Sequence, residues 1–241
     1  MGRSQDEGTV FSAAMAGLTR FLGAAKDAVL RPWRQHQLPP DPAAIFSVQD
    51  RWDAEVDTIL TVLGRIAMGA WSEASNVPPV SRHAFVMSQL AQTQNFLVRI
   101  PDEVYQLVFA EITDGVNGGE SVEQVAERVD AVLTVAGSQR WRNRARVIAQ
   151  TEVTRAYGAG TLAAGMEQSR VTGRLLRKRW DTEKDARVRA SHRGVDGDVQ
   201  QLWEPFDVGG IAMQFPGDPI APADEVVNCR CDLRIVDKGS R

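Results

Sequence analysis

The chain has 241 residues, of which 28 are Lys or Arg and 31 are Asp or Glu, so its formal net charge is -3. This balance argues against a general nucleic-acid binder, because such proteins usually carry a strongly basic surface. The content of 43% apolar and 24% charged residues is ordinary for a folded globular protein and argues against disorder over the whole chain.

The charges are unevenly distributed along the chain. Residues 1–139 hold 10 basic and 17 acidic side chains, residues 140–193 hold 14 and 5, and residues 194–241 hold 4 and 9. The near-neutral total therefore conceals a strongly basic middle segment.

The sequence carries no sign of export or membrane insertion. It has no run of about 18 uncharged apolar residues, and acidic side chains occur where a secretory signal would carry its basic start. We therefore expect a soluble protein made in the cytoplasm, with no membrane partner. The only two cysteines, Cys229 and Cys231, exclude a disulfide framework, and a bridge between such near neighbours would be strained.

The first predicted element is an amphipathic helix over residues 10–30, because apolar residues recur there every three or four positions. This stripe comprises Phe11, Met15, Leu18, Leu22, Ala25 and Val29. Four prolines between residues 31 and 42 predict that the helix stops and that a hinge or extended arm follows. Trp33 lies in this linker and would suit docking on a partner.

Four further helices are predicted before residue 138. One begins near Pro42 and fades at residues 75–79, and the next runs from about residue 81 to residue 98. The third opens at Pro101, a favourable first helical position, and ends in the glycine-rich loop at residues 114–119. Ser121 and Gln124 form a capping-box pattern at the start of the last. This half of the chain is typical of a helical bundle.

Residues 138–170 form the strongest single helix candidate. The first part is dense in arginine, and the second is rich in alanine and glycine, which allow another backbone to approach closely. After Gly173, short β-type runs at residues 175–180 and 231–236 alternate with glycine and proline turns.

The predicted fold class is therefore α+β. It comprises an N-terminal bundle or arm of amphipathic helices, a long connecting helix and a small C-terminal α+β module with short strands. We assign residues 1–137 to a helical region with a proline-rich hinge near 31–42, and residues 138–241 to the α+β module.

The basic segment is the first candidate interaction site. Arginine outnumbers lysine 12 to 2 between residues 140 and 193, and its planar fork suits contact with phosphate or carboxylate. The candidate contact residues are Arg140, Arg142, Arg144, Arg146, Arg174, Arg177, Lys178 and Arg179. Three interpretations stay open: a solvated face paired with nearby acids, sequence-independent contact with DNA phosphates, or docking onto an acidic protein.

Two constellations near the C-terminus could carry chemistry. Asp181, Asp185, His192 and Asp196 offer a general base or a hydrated metal site, or they are structural, with Asp185 pairing to neighbouring arginines. Cys229 and Cys231 would point to the same side of an extended segment and could bind zinc with His192, or they are buried or reactive thiols. A nucleophilic cysteine would have no visible helper except His192.

The C-terminal elements together resemble the phage head morphogenesis family of minor head proteins, the Mu F-like (MuF) group. The resemblance covers about residues 140–237 and rests on four pieces in order: an A-x-T-E-x-x-R-A helix, a W…D-x-R-x-R-x-x-H stretch with a D-G turn, a P-G-D-P turn and a terminal N-C-R-C. The residues on these motifs are Thr151, Glu152, Arg155, Trp180, Asp185, Arg187, Arg189, His192, Asp196, Gly197, Asn228, Cys229 and Cys231.

This resemblance implies a non-enzymatic structural protein of a tailed phage, present in several copies in the head interior near the portal vertex and in the host cytoplasm during assembly. The implied partners are the portal protein, the major capsid protein or both, together with packaged double-stranded DNA. The resemblance also implies that residues 1–137 contact the portal, the capsid or other copies of the chain. Some relatives carry a further C-terminal toxin or transferase domain, for which we expect no room here. The resemblance also makes His192, Cys229 and Cys231 the candidate ligands of a structural zinc ion.

Two other functions compete with this interpretation. The first is a metal-dependent hydrolase or nuclease that uses His192, the nearby aspartates and the two cysteines. The second is a nucleic-acid-binding adaptor without sequence preference and without a role in the virion.

Overall fold

The computed structural model describes residues 3–80 and 83–237. The helices in this part of the chain are α1 (Arg3–His36), α2 (Gln49–Ala74), α3 (Ala84–Leu97), α4 (Ile100–Asn117), α5 (Val122–Leu133), α6 (Gln139–Thr172), α7 (Ala190–Gly194) and α8 (Ala223–Val226). The strands are β1 (Leu176–Asp181), β2 (Val199–Gln201), β3 (Phe206–Val208), β4 (Ile211–Met213) and β5 (Asp232–Asp237). The predicted α+β class is confirmed.

The predicted stop after Leu30 is wrong, because α1 continues through Pro32 to His36. A proline near the end of a helix removes a single backbone donor, and the amide of Gln37 still donates to the carbonyl of Trp33 at 2.9 Å. The break in helical structure is confined to residues 37–41, after which a 3₁₀ helix (Pro42–Val48) leads into α2. Trp33 is half-buried.

The other helix boundaries lie close to the predicted ones. Asp102 and Glu103 occupy the first turn of α4, and Ser121 and Gln124 form the predicted capping box at the start of α5. The predicted start of α3 at residue 81 falls outside the described residues, and α3 begins at Ala84. No helix in the described ranges is both long enough and apolar enough to cross a lipid bilayer.

The strands form two small antiparallel sheets. β1 lies in the centre of the larger one, in the order β2-β1-β5, and it pairs with β5 from Leu176↔Asp237 to Asp181↔Asp232. β3 and β4 form a hairpin whose turn residues, Gly209 and Gly210, both have the positive φ angles that favour glycine.

The chain divides into two compact units that are interleaved along the sequence. The first contains residues 1–11, 60–93 and 146–241, and the second contains residues 12–59 and 94–145. These units do not follow a boundary at residue 137, and the functional assignment of the two predicted segments stays a prediction.

The C-terminal part of the first unit has its own apolar core. Trp180, Phe206 and Phe215 are among its largest buried side chains, and Leu162 of α6 belongs to the same cluster. Trp180 packs edge-on against Phe206 with ring centroids 5.3 Å apart. The short strands and α6 thus form the scaffold on which the candidate site is built.

Candidate functional site

Three potential metal ligands converge inside this scaffold. His192 lies on α7, whereas Cys229 and Cys231 lie on the extended segment that leads into β5. All three side chains are buried. Their ligand atoms lie within 4.8 Å of one another, and within the described residues this is the only such cluster of three or more His, Cys, Asp or Glu side chains.

The geometry places one nitrogen of the imidazole against both sulfurs. His192 Nδ1 lies 3.3 Å from Cys231 Sγ and 3.6 Å from Cys229 Sγ. The pKa of Cys229 is lowered chiefly by a hydrogen bond from the Cys231 thiol, and to a smaller extent by the contact with His192. The same hydrogen bond, together with burial, raises the pKa of Cys231. The two thiols therefore differ in acidity, although only Arg230 separates them in the sequence.

The other side of the His192 ring faces a carboxylate. Nε2 lies 3.0 Å from Glu225 Oε2 on α8, although the two atoms do not form a hydrogen bond in this geometry. The same oxygen accepts a hydrogen bond from Ser191 Oγ at 2.9 Å. Trp180 packs edge-on against the ring, with centroids 5.3 Å apart. The imidazole is thus fixed on three sides.

The residue between the cysteines points away from the cluster, as alternation on an extended segment predicts. The Arg230 guanidinium makes two hydrogen bonds, of 2.8 and 2.7 Å, to the Asp185 carboxylate. These bonds hold the pKa of Asp185 below its usual range. Asp185 also accepts the backbone N–H of Arg187 at 2.9 Å, so its carboxylate is held by contacts within the protein, chiefly with Arg230 and not with Arg189.

The T-E-x-x-R residues of α6 hold the two loops beside the cluster. The Thr151 hydroxyl accepts the backbone N–H of Asn228 at 3.1 Å, and the Arg155 Nε donates to the carbonyl of Gly217 at 3.1 Å. Between these contacts, Glu152 accepts a hydrogen bond of 2.7 Å from Arg155, and all three motif side chains are buried. This motif therefore fixes the P-G-D-P and N-C-R-C segments on the helix.

The remaining motif residues also make internal contacts. Asp196 accepts the backbone N–H and the hydroxyl of Thr182 at 2.9 and 3.0 Å, and Gly197, at φ 86°, donates to the carbonyl of Trp180 at 2.8 Å. Arg189 donates to the carbonyl of Val227. These bonds close the loops around α7.

The aspartates proposed for a hydrolase do not join the cluster. Asp181 is paired with Arg179 at 2.8 Å and with Arg234 at 2.6 Å, and Asp185 and Asp196 are engaged as described above. In the described part of the chain, none of these three carboxylates belongs to the group of potential metal ligands. The structure thus assembles the histidine and cysteines but not the acidic part of the predicted hydrolase site.

The predicted basic contact residues differ in their environments. Arg140, Arg142 and Arg146 are exposed and Arg177 is half-buried, whereas Arg144 pairs with Glu103 at 2.6 Å and Arg174 with Asp237 at 2.7 Å. Arg179 is paired with Asp181, as noted.

The prediction that Lys178 belongs to the contact surface is wrong. It is buried, and its ammonium donates to the carbonyl of Gln214 at 2.9 Å and to the side chain of Gln214 at 2.6 Å. Burial patterns along β1 alternate, with Leu176, Lys178 and Trp180 facing the core. Lys178 therefore cannot contact DNA or a partner in the folded protein.

Sequence reasoning missed three contributors to this region. Glu225 faces His192, Thr93 Oγ1 donates to Glu152 at 2.7 Å, and Arg3 donates to the carbonyl of Cys231 at 3.3 Å. Glu225 could have been found as an acid four residues before Cys229. Arg3 and Thr93 carry no motif signal and are brought to the site only by the fold.

A comparison with known families matches the part of the chain that contains this site. The family described as "Phage Mu protein F like protein" matches residues 106–234, which include every motif residue discussed above. The chain belongs to this family. The predicted resemblance to the Mu F-like group is confirmed.

Curated relatives of this Mu F-like chain are known from phage and bacteria. Minor head protein GP7 of Bacillus phage SPP1 is 32% identical over 130 residues, which cover 53% of this chain and 39% of that protein. The NAD(+)--arginine ADP-ribosyltransferase EFV of Enterococcus faecalis is 26% identical over 166 residues, 66% of this chain and 33% of that protein. An uncharacterized protein of Bacillus subtilis, YqbB, is 30% identical over 134 residues.

The Mu F-like chain thus spans about two fifths or less of the length of these relatives. No solved structure gives a significant match to it.

Proposed function

We propose that this Mu F-like chain is a structural, non-enzymatic minor head protein of a tailed phage. It acts in the virion, in the head interior near the portal vertex, and assists head assembly, DNA packaging or DNA delivery. The observation that carries this proposal is the match of residues 106–234 to the Mu F-like family, supported by the similarity to a protein named as a minor head protein.

The contacts of the motif side chains support a structural role. Thr151, Glu152 and Arg155 are buried and hold loops to α6, and Asp185 is paired with Arg230. Side chains that hold loops in this way stabilise a shape that a partner can recognise. The proposed partners are the portal protein and the major capsid protein.

The deciding experiment is co-expression with the portal protein of the same phage. We expect the chain to co-purify with the portal oligomer through size-exclusion chromatography and to appear as added density on it in electron micrographs. Repeating the experiment with the major capsid protein separates the two partners. Failure to associate with either protein, from a chain shown by circular dichroism to be folded, would contradict the proposal.

The proposal also includes contact with packaged DNA, which we assign to Arg140 and Arg142. Both are exposed near the start of α6. Each phosphate contact contributes about 0.9 to the slope of log affinity against log salt. We expect the double replacement Arg140→Gln/Arg142→Gln to reduce this slope for duplex DNA by about 2, measured by fluorescence anisotropy on the full chain.

A matched control for this DNA experiment is Arg31→Gln/Arg51→Gln. Both of these arginines are exposed and the change in net charge is the same. Equal loss of affinity in the two double variants would show that only net charge matters, and would remove the local DNA contact from the proposal.

The similarity to an ADP-ribosyltransferase defines the test of the non-enzymatic assignment. We expect the full chain to release no nicotinamide from NAD⁺ in the presence of an arginine-containing acceptor, measured against a transferase of known activity. Release of nicotinamide at a rate proportional to the concentration of the chain would contradict the assignment.

A further inference from the structure

The cluster of His192, Cys229 and Cys231 has the chemistry of a zinc site. Zinc in proteins is bound by thiolate sulfur at about 2.3 Å and imidazole nitrogen at about 2.0 Å, in tetrahedral geometry. These bond lengths place a nitrogen and a sulfur ligand about 3.5 Å apart. The two nitrogen–sulfur distances here, 3.3 and 3.6 Å, lie on either side of that value.

The orientation of the imidazole agrees with metal binding. A ligating histidine usually presents its other ring nitrogen to a carboxylate or carbonyl, which fixes the tautomer and aims the free lone pair at the metal. In this chain Nδ1 faces both sulfurs, and Nε2 faces Glu225 at 3.0 Å. The 3.0 Å separation lies within the range of an N–H···O hydrogen bond.

The surroundings favour a structural role for the ion. The three ligands are buried, and Trp180 covers one side of the imidazole. The ligands belong to segments 37 and 39 residues apart, so a shared ion would tie α7 to the entry of β5. Closing a loop of this length by a cross-link restricts the unfolded chain more than the folded one.

We propose that this chain binds one Zn²⁺ through His192 Nδ1 and the thiolates of Cys229 and Cys231, with Glu225 as the positioning residue for the imidazole. The ion is structural: it holds the N-C-R-C segment against α7. This inference concerns the folding of the chain and does not depend on association with a portal.

The first test measures metal in the full chain purified under reducing conditions without added chelator. We expect one zinc per chain by inductively coupled plasma mass spectrometry, and two thiols that become reactive towards a disulfide reagent only after zinc is removed. Replacement by Co²⁺ should produce the intense near-ultraviolet absorption of cobalt–thiolate bonds. Substoichiometric zinc, together with thiols that react equally in the presence and absence of Zn²⁺, would overturn the proposal.

Single variants then assign the roles. Cys229→Ser should abolish the cobalt–thiolate spectrum of a two-sulfur site. A chelator should lower the thermal stability of the unmodified chain but not that of Cys229→Ser. Glu225→Gln should retain the spectrum but weaken zinc binding by about 10- to 100-fold, as expected for a partner of a ligating histidine. The matched control Asp224→Asn changes an exposed acid on the same short helix and should leave zinc affinity unchanged.

Two outcomes would contradict the positioning role of Glu225. One is a zinc affinity in Glu225→Gln equal to that of the control. The other is an equal loss of affinity in both variants, which would show a general electrostatic effect of the acids on this helix. If Cys229→Ser fails to fold, the cobalt spectrum and thiol titration of the unmodified chain still decide whether the site exists.

Discussion

Arg155 and Glu152 form an ion pair that is almost completely shielded from water. Their side chains are 3% and 6% exposed, and Thr93 contacts both of them. Removing one partner of a buried pair leaves an uncompensated charge and costs about 3–5 kcal/mol, whereas replacing both by apolar residues costs far less.

We therefore predict that Arg155→Met lowers the free energy of unfolding by about 3–5 kcal/mol, measured by urea denaturation. The double variant Arg155→Met/Glu152→Met should recover much of this loss. The control is Arg170→Met, because its pair with Glu167 is exposed on the arginine side and such pairs contribute about 1 kcal/mol or less. An Arg155→Met variant as stable as this control would contradict the prediction.

We predict that Lys178 makes the stability of the protein depend on pH in the alkaline range. Burial lowers its pKa from 10.5 to about 8, although Asp218 and Glu204 act in the opposite direction. Between these two values the unfolded chain binds a proton that the folded chain does not, so stability rises with pH in this window. Below pH 8 the cost of burying the charge is present in full.

The matching prediction compares the unmodified chain with Lys178→Met. The difference in unfolding free energy between the two should shift in favour of the unmodified chain by about 3 kcal/mol between pH 8 and 10.5, from about 1.4 kcal/mol per pKa unit. Using the difference removes the contribution of other groups, including the two cysteines. A difference that is constant over this pH range would show that Lys178 titrates normally.

At the scale of elements, the small residues of α6 permit a close approach to α2. A Cβ atom added at Gly160 would lie 2.1 Å from the backbone carbonyl oxygen of Ala67, a distance that requires the backbones to separate. The alanine and glycine residues in the second half of this helix predict close packing, and the contact at Gly160 confirms it.

Gly160→Ala should therefore lower the free energy of unfolding, because the steric cost of the new Cβ exceeds the roughly 1 kcal/mol that alanine gains over glycine in a helix. Its control is Gly69→Ala on α2, where an added Cβ meets nothing within 4 Å. We expect that control to raise the stability by up to about 1 kcal/mol, in the same thermal or urea unfolding measurement. Opposite signs for the two variants would confirm close packing as the cause, and stabilisation by both would contradict it.

The sequence predicts elements well where local chemistry determines them. The capping box at Ser121, the helix start at Pro101 and both long strand candidates are recovered within a few residues. It fails at Pro32, where the tertiary packing of the preceding apolar stripe maintains the helix, and at Lys178, where the alternation of β1 outweighs the basic context.

At the scale of the whole molecule, the sequence also predicts which residues meet at the site, but only in part. The C-x-C spacing and the single C-terminal histidine nominated His192, Cys229 and Cys231, the three residues that the fold brings together. Arg3 and Thr93 could not have been nominated, because they lie 228 and 62 residues from their partners Cys231 and Arg155. Separations of this size leave no periodic signal in the chain.

The first compact unit draws residues 1–11 and 60–93 into the same body as residues 146–241. A segment starting at residue 138 would therefore lack Thr93 and Arg3, leaving the buried Glu152–Arg155 pair and the Cys231 loop short of partners. For genetic recombination within this chain, the interleaving has a direct consequence. A crossover near residue 138 would transfer every motif named above but separate Glu152 and Cys231 from these two hydrogen-bond donors, so we expect the unit that folds to extend beyond the motifs.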